Sequence, residues 1–265
     1  NEADLKGLLP ILHTVNAAEP WAMSLTAQEF LSQTVRLKEL LADGESMESI
    51  LPEAFSLVRE AARRTLGERL YDVQILGGVV LHQGRIMEMK TGEGKTVSSV
   101  TAAYLNALSG NGVHVVTVND YLAQRDADFV SPIYRLLGMR VGVTNPDFDK
   151  NTRRDAYQCD VTYGTATQFG VDFLQDRLAV GGEVGTSSAA SVLFGDQSQS
   201  IAPMQRSNHH CAIVDEADSV LIDDARTPLI ISAPSSAPDE QVVETYQWAA
   251  RHAEEFQHDT DFQHD

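Results

Sequence analysis

The residues best suited to chemistry stand at Met89-Lys-Thr-Gly-Glu-Gly-Lys95-Thr96, directly before a run whose apolar positions, Val97, Val100, Tyr104 and Leu108, keep helical spacing. Gly92 and Gly94 let the backbone curl until its N–H groups converge, and the start of the helix adds the positive end of its dipole. That combination cradles phosphate, with Thr91, Gly92, Glu93, Gly94, Lys95 and Thr96 as the predicted contacts. Lys95 would reach the β- and γ-phosphates, and the Thr96 hydroxyl would hold Mg²⁺. The general G-x-x-x-x-G-K-[ST] pattern has a glycine where Met89 stands, so a glycine turn before an ordinary helix is the plainer alternative.

A second cluster weighs against that alternative. Cys211-Ala-Ile-Val214 reads as a buried strand that runs straight into Asp215-Glu216-Ala217-Asp218. A phosphate-loop enzyme needs one carboxylate at the end of a neighbouring strand to hold the metal and another to orient the attacking water. Asp215 suits the first role and Glu216 the second, so Glu216, Lys95 and Asp215 form the predicted catalytic set, and Thr96 and Asp215 the predicted Mg²⁺ ligands. Acidic residues are also favoured at any helix N-terminus; the phosphate loop upstream gives these two their chemical reading. Closer to the loop lies Arg69-Leu-Tyr71-Asp-Val-Gln74. The Gln74 amide offers a donor and an acceptor that match the Hoogsteen edge of adenine, which selects ATP over GTP, with Tyr71 packed beside the base.

Such groups work only on a scaffold that brings them together. Short apolar runs at Arg85–Met89, Val113–Val118, Val141–Thr144, Val161–Tyr163, Cys211–Val214 and Leu229–Ser232 alternate with helical stretches. The alternation predicts an α/β fold, a parallel sheet with helices on both faces. Ahead of it, Thr26-Ala-Gln-Glu29 has capping-box spacing and opens a helix that stops at Asp43-Gly44. Another helix follows Pro52, with Phe55, Val58, Ala62 and Leu66 on its apolar face and Gly67 at its end. Residues 179–210 keep no period and read as a long, poorly ordered surface loop. A helix is predicted over about Val242–Phe256. The tail repeats Phe-Gln-His-Asp at 256–259 and 262–265 and reads as solvated, although His258 and His264 with their aspartates have metal-ligand chemistry.

The 265 residues are 43% hydrophobic and 22% charged, which excludes disorder throughout and suits one large α/β domain or one domain with an appendage. A net charge of −18, from 20 basic and 38 acidic residues, argues against a surface built to neutralise phosphate backbones. Cys159 and Cys211 are the only cysteines, read as small core residues of a protein in a reducing compartment. Neither a membrane span nor a secretory signal is apparent, and the start at Asn1 without methionine reads as a piece of a longer chain.

RTLGERLYDVQILGGVVLHQGRIMEMKTGEGKT, GVHVVTVNDYLAQRDADF, DVTYGTATQFGVDFLQD and AIVDEADSVLIDDARTPLIIS resemble, in this order, the first nucleotide-binding domain of the SecA family, the ATPase motors of bacterial protein secretion. The resemblance covers residues 25–178 and 210–234, and Met89 agrees with it. It implies a P-loop, RecA-like domain with Walker A and Walker B elements over residues 69–234, a helical lead-in over 1–68, and the start of a preprotein-binding region or tail over 235–265. It also implies ATP and Mg²⁺ as cofactors, Gln74 as the adenine reader, Gly92–Thr96 as the phosphate loop, and Asp215 and Glu216 as the metal and water pair. The implied partners are a SecY-type channel, unfolded preproteins and, through the rest of a longer protein, an anionic membrane surface, with no nucleic acid. The implied place is the cytoplasm at the inner face of the cell membrane. Thr117–Asp126 and Tyr163–Gly170 match stretches that couple nucleotide state to the translocated chain, and Arg226-Thr-Pro228 leads toward the preprotein-binding region. Glu68, Tyr71, Ala217, Asp224 and Ala233 depart from the family's usual residues, and the 179–210 loop is longer than usual, as in a divergent lineage.

Two other readings compete. Asp-Glu-Ala-Asp at 215–218 is also the signature of RNA helicase lobes, against which stand the acidic charge and TVNDYLAQRD in place of P-T-R-E-L. A catalytically silent interaction module would keep the fold without hydrolysis, but Lys95, Thr96, Asp215 and Glu216 are all present.

Overall fold

The computed structural model describes residues 2–186, 203–206, 209–230 and 240–252. The chain forms two units, residues 1–229 and 230–265. In the first, helices α1 (Glu2–Ser24), α2 (Ala27–Ala42) and α3 (Met47–Leu66) lead into α4 (Asp72–His82) and α5 (Lys95–Ala107). There follow β1 (Val113–Thr117), α6 (Asp120–Leu136), β2 (Val141–Val143), α7 (Lys150–Tyr157), β3 (Val161–Thr165), α8 (Ala166–Thr186) and β4 (Cys211–Val214). The strands lie in the order β2-β3-β1-β4 and every pairing is parallel, so the predicted α/β class holds.

The start of α2 follows from its sequence: Thr26 Oγ1 accepts from the Glu29 N–H at 3.4 Å while Glu29 Oε2 accepts from the Thr26 N–H at 2.6 Å. Each satisfies an N–H that the first helical turn would leave without a partner. The start of α3 differs from the expectation. Ser46 caps it, its hydroxyl accepting from the Ser49 N–H at 3.2 Å, and Pro52 falls inside the helix. Pro52, the sixth residue of the helix, forgoes the bond its N–H would have made to the Glu48 carbonyl, a local cost that does not keep the Ser46 cap from starting the helix a turn and a half earlier. At the other end Gly67 takes the left-handed conformation at φ 77°, as the sequence indicated.

The helices and the sheet share one core. Phe30, Leu37, Phe55, Leu57, Ile75, Tyr104, Tyr134 and Tyr163 are fully buried in it. α3 packs on α1, α5 and α6, so the N-terminal helices belong to the same hydrophobic cluster as the strands. Inside the cluster the Thr34 and Tyr104 hydroxyls bond at 2.8 Å, which satisfies both where water is excluded.

Three expectations are corrected. Residues 85–89 form no strand: the Met87 sulfur sits where a Cβ on Gly77 of α4 would stand, the Met89 sulfur lies beside it, and no described segment gives them a ladder. A strand requires a paired neighbour, which an apolar run by itself does not supply. Leu229 and Ile230 are likewise not in a strand, while Ile231 and Ser232 lie outside the described residues. The region read as a loop from 179 is helical as far as Thr186, because α8 continues. Residues 187–202, half of that loop, lie outside the described residues, as does the Phe-Gln-His-Asp tail. Cys159 and Cys211 are free thiols, both half-buried, and Cys211 packs against the core as expected.

The second unit contains α9 (Glu240–His252), close to the predicted helix, although Phe256 lies outside the described residues. Within it, Trp248 stacks on His252 with ring centroids 4.9 Å apart. No helix among the described residues is long and apolar enough to cross a membrane.

Next to the sheet, Arg206 donates to the carbonyls of Gly110, Tyr157, Gln158 and Cys159, at 2.5 to 3.0 Å, and so ties the segment before β4 to the N-terminal ends of β1 and β3. Close by, His114 of β1 stacks on Phe169 at 4.5 Å, and burial, with the nearby charges of His209 and Arg206, pushes its pKa down to about 4. The native state therefore resists the proton that the unfolded state accepts near pH 6.5, so His114 costs nothing above that pH and lowers stability as the pH falls toward 4. From pH 6.5 to 5.5 its contribution is on the order of 1 kcal/mol. Urea unfolding of wild type and His114→Phe at both pH values checks this: the variant should lose less stability over the interval, and equal losses would contradict it.

Candidate functional site

Residues 108–112 connect α5 to β1, and the helix packs on the strand, so α5 runs back antiparallel to β1. The N-terminus of α5 thus lies at the C-terminal end of β1. At that same end the Asp215 N–H donates to the Val116 carbonyl at 2.8 Å, carrying the β1–β4 ladder one residue past β4. The topology therefore brings Lys95 and Thr96, which open α5, to the end of the sheet where Asp215 and Glu216 leave β4. This is where parallel α/β sheets bind ligands.

The loop itself has the shape that phosphate requires. Gly92 and Gly94 have φ of 85° and 82°, in the left-handed region that favours glycine. Gly94 caps α5 without a side chain, so the first N–H groups of the helix remain available to an anion. Thr91, Gly92 and Glu93 are exposed, and Gly94, Lys95 and Thr96 are half-buried. Lys95 Nζ donates to the Met89 carbonyl at 3.2 Å, holding the ammonium against the loop, and Glu93 Oε2 accepts from the Lys90 N–H at 2.8 Å.

Gln74 is attached to that loop. Its Nε2 donates to the Glu93 carbonyl at 2.9 Å, and its Oε1 accepts from the Tyr71 N–H at 2.8 Å. A carboxamide has two donors and two lone pairs, so one of each is left for a base. Tyr71 is 72% exposed. Sequence spacing suggested Gln74 as a base reader; its second role, clamping the loop, depends on a contact across 19 residues.

Beyond β4, Glu216 has φ 52°, and among the described residues it alone holds a left-handed conformation without being glycine. Such strain costs about 1–3 kcal/mol and concentrates at functional sites. The Glu216 N–H donates to Asp215 Oδ1 at 3.0 Å, and the chain continues into a π-turn at Ser219–Asp223, an irregularity also frequent at functional sites.

The described residues include no cluster of three or more His, Cys, Asp or Glu side chains able to hold a metal. One hydroxyl and one carboxylate, Thr96 and Asp215, are instead a donor set suited to Mg²⁺, which keeps waters and phosphate oxygens among its ligands. The residues present therefore fit a nucleotide with its metal.

The family model of the SecA DEAD-like domain matches residues 1–265. The chain belongs to the SecA DEAD-like domain family. It is 53% identical over 232 residues to the protein translocase subunit SecA of Treponema denticola, covering 88% of this chain and 23% of that protein. To the SecA of Treponema pallidum it is 52% identical over 235 residues (89% and 24%), and to that of Leptospira interrogans 50% over 242 residues (91% and 25%). The chain thus spans about a quarter of the length of these curated relatives.

In this SecA DEAD-like domain the structure also shows residues that sequence reasoning did not single out. Arg125, on α6, donates to Asp126 Oδ1 through Nε and Nη2 at 2.9 and 2.7 Å. Its pKa is raised chiefly by that bond, and to a smaller extent by the charge of Asp215, which places it near the acidic pair. Asp120, in the first turn of α6, has its carboxyl pKa raised by burial and by the charge of Asp147. Both lie inside TVNDYLAQRD, where the order of residues alone distinguishes neither.

A Cβ on Gly94 would meet the Gln74 amide and would have to adopt a positive φ. Gly94→Ala should therefore destabilise the domain by about 1–2 kcal/mol, read as a lower unfolding midpoint in urea; an unchanged midpoint would show that the loop tolerates a side chain there.

Proposed function

We propose that this chain is the first nucleotide-binding domain of a SecA-type motor, which binds ATP·Mg²⁺ and uses its hydrolysis to move unfolded preproteins through a SecY-type channel. The observation that carries this reading is the arrangement at one end of the sheet: a glycine loop without a side-chain cap on α5, at the same end as the Asp215–Glu216 pair that leaves β4. The translocase names of the relatives support the cargo, and the acidic net charge of −18 favours it over the RNA helicase reading.

In this reading the loop N–H groups of residues 92–96 and the Lys95 ammonium hold the phosphates, and Gln74 reads the adenine while clamping the loop, with Tyr71 beside the base. Thr96 and Asp215 would hold Mg²⁺, which when bound neutralises charge on the phosphates. Glu216, fixed by its own strained backbone, orients the attacking water. The channel, the preproteins and an anionic membrane surface would be met by the complete protein at the inner face of the cell membrane. Residues 1–68 would serve as its helical lead-in, 69–234 as the nucleotide domain and 235–265 as the start of the preprotein-binding region.

Two measurements test the roles. Lys95 meets the ground-state phosphates, so Lys95→Ala should weaken ATP binding roughly 10- to 100-fold, the loss of one charged hydrogen bond. Glu216→Gln should leave binding within about threefold and stop turnover in the complete protein, because Glu216 acts on the water. Equal loss of binding in both variants would remove Glu216 from that role.

The 265-residue chain alone should turn over very slowly. In such motors a second lobe supplies an arginine, an effect of about 10³–10⁵ in rate in other phosphoryl-transfer enzymes, and Arg251 is the only arginine after Arg226. A steady-state ATPase assay with Lys95→Ala as background decides it: turnover near that of a complete motor would mean the site needs no second lobe.

A further inference from the structure

Arg59, on α3, is fully buried, and its guanidinium bonds two other helices. Nη1 donates to Asn16 Oδ1 at 2.6 Å and to Glu19 Oε2 at 3.1 Å, both on α1, and Nη2 donates to Asp72 Oδ1 at 3.0 Å, in the first turn of α4. Its partners are also bonded to one another and to a second arginine. Asn16 Nδ2 donates to Asp72 Oδ2 at 3.4 Å, and Arg69 donates to both oxygens of Glu19 at 2.5 and 2.6 Å. Two arginines thus face two carboxylates, and burial lowers the Arg59 pKa, the direction expected for a charge taken out of water.

An ion cluster built on a buried arginine is poor evidence of stability, since an apolar residue of similar size often serves as well in the buried place. What a guanidinium with fixed donor directions supplies is geometry. Here that geometry reaches the candidate nucleotide site in two further bonds. Asp72 immediately follows Tyr71, whose N–H is held by Gln74, and Gln74 donates in turn to the Glu93 carbonyl in the phosphate loop.

We propose that Arg59 is a positioning residue that couples α1 to the phosphate loop, through Asp72 and the Gln74 turn. The inference rests on the proposed binding of nucleotide at that loop. Any movement of α1 that withdraws Asn16 and Glu19 loosens the α4 turn and with it the loop, and because coupling is reciprocal, nucleotide tightens α1. Asp72 supplies a test that does not depend on a core substitution, because its side chain is 52% exposed.

Hydrogen–deuterium exchange of the 265-residue chain, with and without ADP·Mg²⁺, reads the coupling directly, alongside nucleotide affinity. In wild type the nucleotide should slow exchange of the α1 amides around Asn16 and Glu19 about 3- to 10-fold. In Asp72→Ala, and in Arg59→Lys where it folds, that slowing should fall below about twofold and affinity should weaken about 3- to 10-fold. Lys95-dependent binding with no change in α1 overturns the coupling and leaves the nucleotide site intact. An Asp72→Ala protein with a lower melting point but wild-type affinity and wild-type α1 response makes the cluster merely structural and also overturns it. No Lys95-dependent binding at all overturns the proposed function and this inference together.

Discussion

Because all four strands among the described residues run the same way, each segment that leaves a strand must emerge at one end of the sheet, and the candidate site depends on that constraint. The N-terminus of α5, the first turn of α6 after β1 and the Asp215–Glu216 turn after β4 share that end only because the pairings are parallel. An antiparallel β4 would carry the acidic pair to the opposite end of the sheet, away from the glycine loop. The Val116–Asp215 bond therefore matters beyond its modest energy, since it extends the register that sets where Glu216 begins its strained turn.

Two polar clusters, one half-buried and one buried, maintain this arrangement from outside the site. At the far end of the sheet, Arg206 gathers four carbonyls. Between α7 and α8, Asp172 accepts from Arg153 at 2.6 Å and from the Tyr157 hydroxyl at 2.8 Å. Each bond contributes only about 1 kcal/mol net when made, but losing one partner leaves a buried group unsatisfied at a larger cost. Such contacts restrict the ways the helices can pack more than they add to stability. The Arg59 cluster does the same for the N-terminal helices, and there the helix whose position it fixes carries Gln74.

Features made of contiguous residues were legible. The Thr26–Glu29 box, the Gly67 stop and the alternation of strands and helices follow from side chains acting on their own backbone, so they agree in sequence and structure. Errors fall where a distant partner decides. Arg85–Met89 has the composition of a strand, yet its methionines pack against Gly77 and the segment stays unpaired. The loop predicted from residue 179 begins as a continuation of α8. Pro52 marks a break in most helices, but here Ser46 starts the helix a turn and a half earlier.

By itself the sequence determined the fold class, the family and the chemical types at the site: a glycine loop, a lysine, a hydroxyl and two carboxylates in order. These are properties of residue type and short spacing, which no packing is needed to reveal. Only the tertiary structure decided that Gln74 clamps the loop across 19 residues, and that Arg59 joins Glu19, 40 residues before it, to Asp72, 13 residues after it. The physical reason is that a hydrogen bond between distant segments leaves no periodic trace in the chain. Its donors and acceptors become partners only when burial removes the water that would otherwise satisfy them.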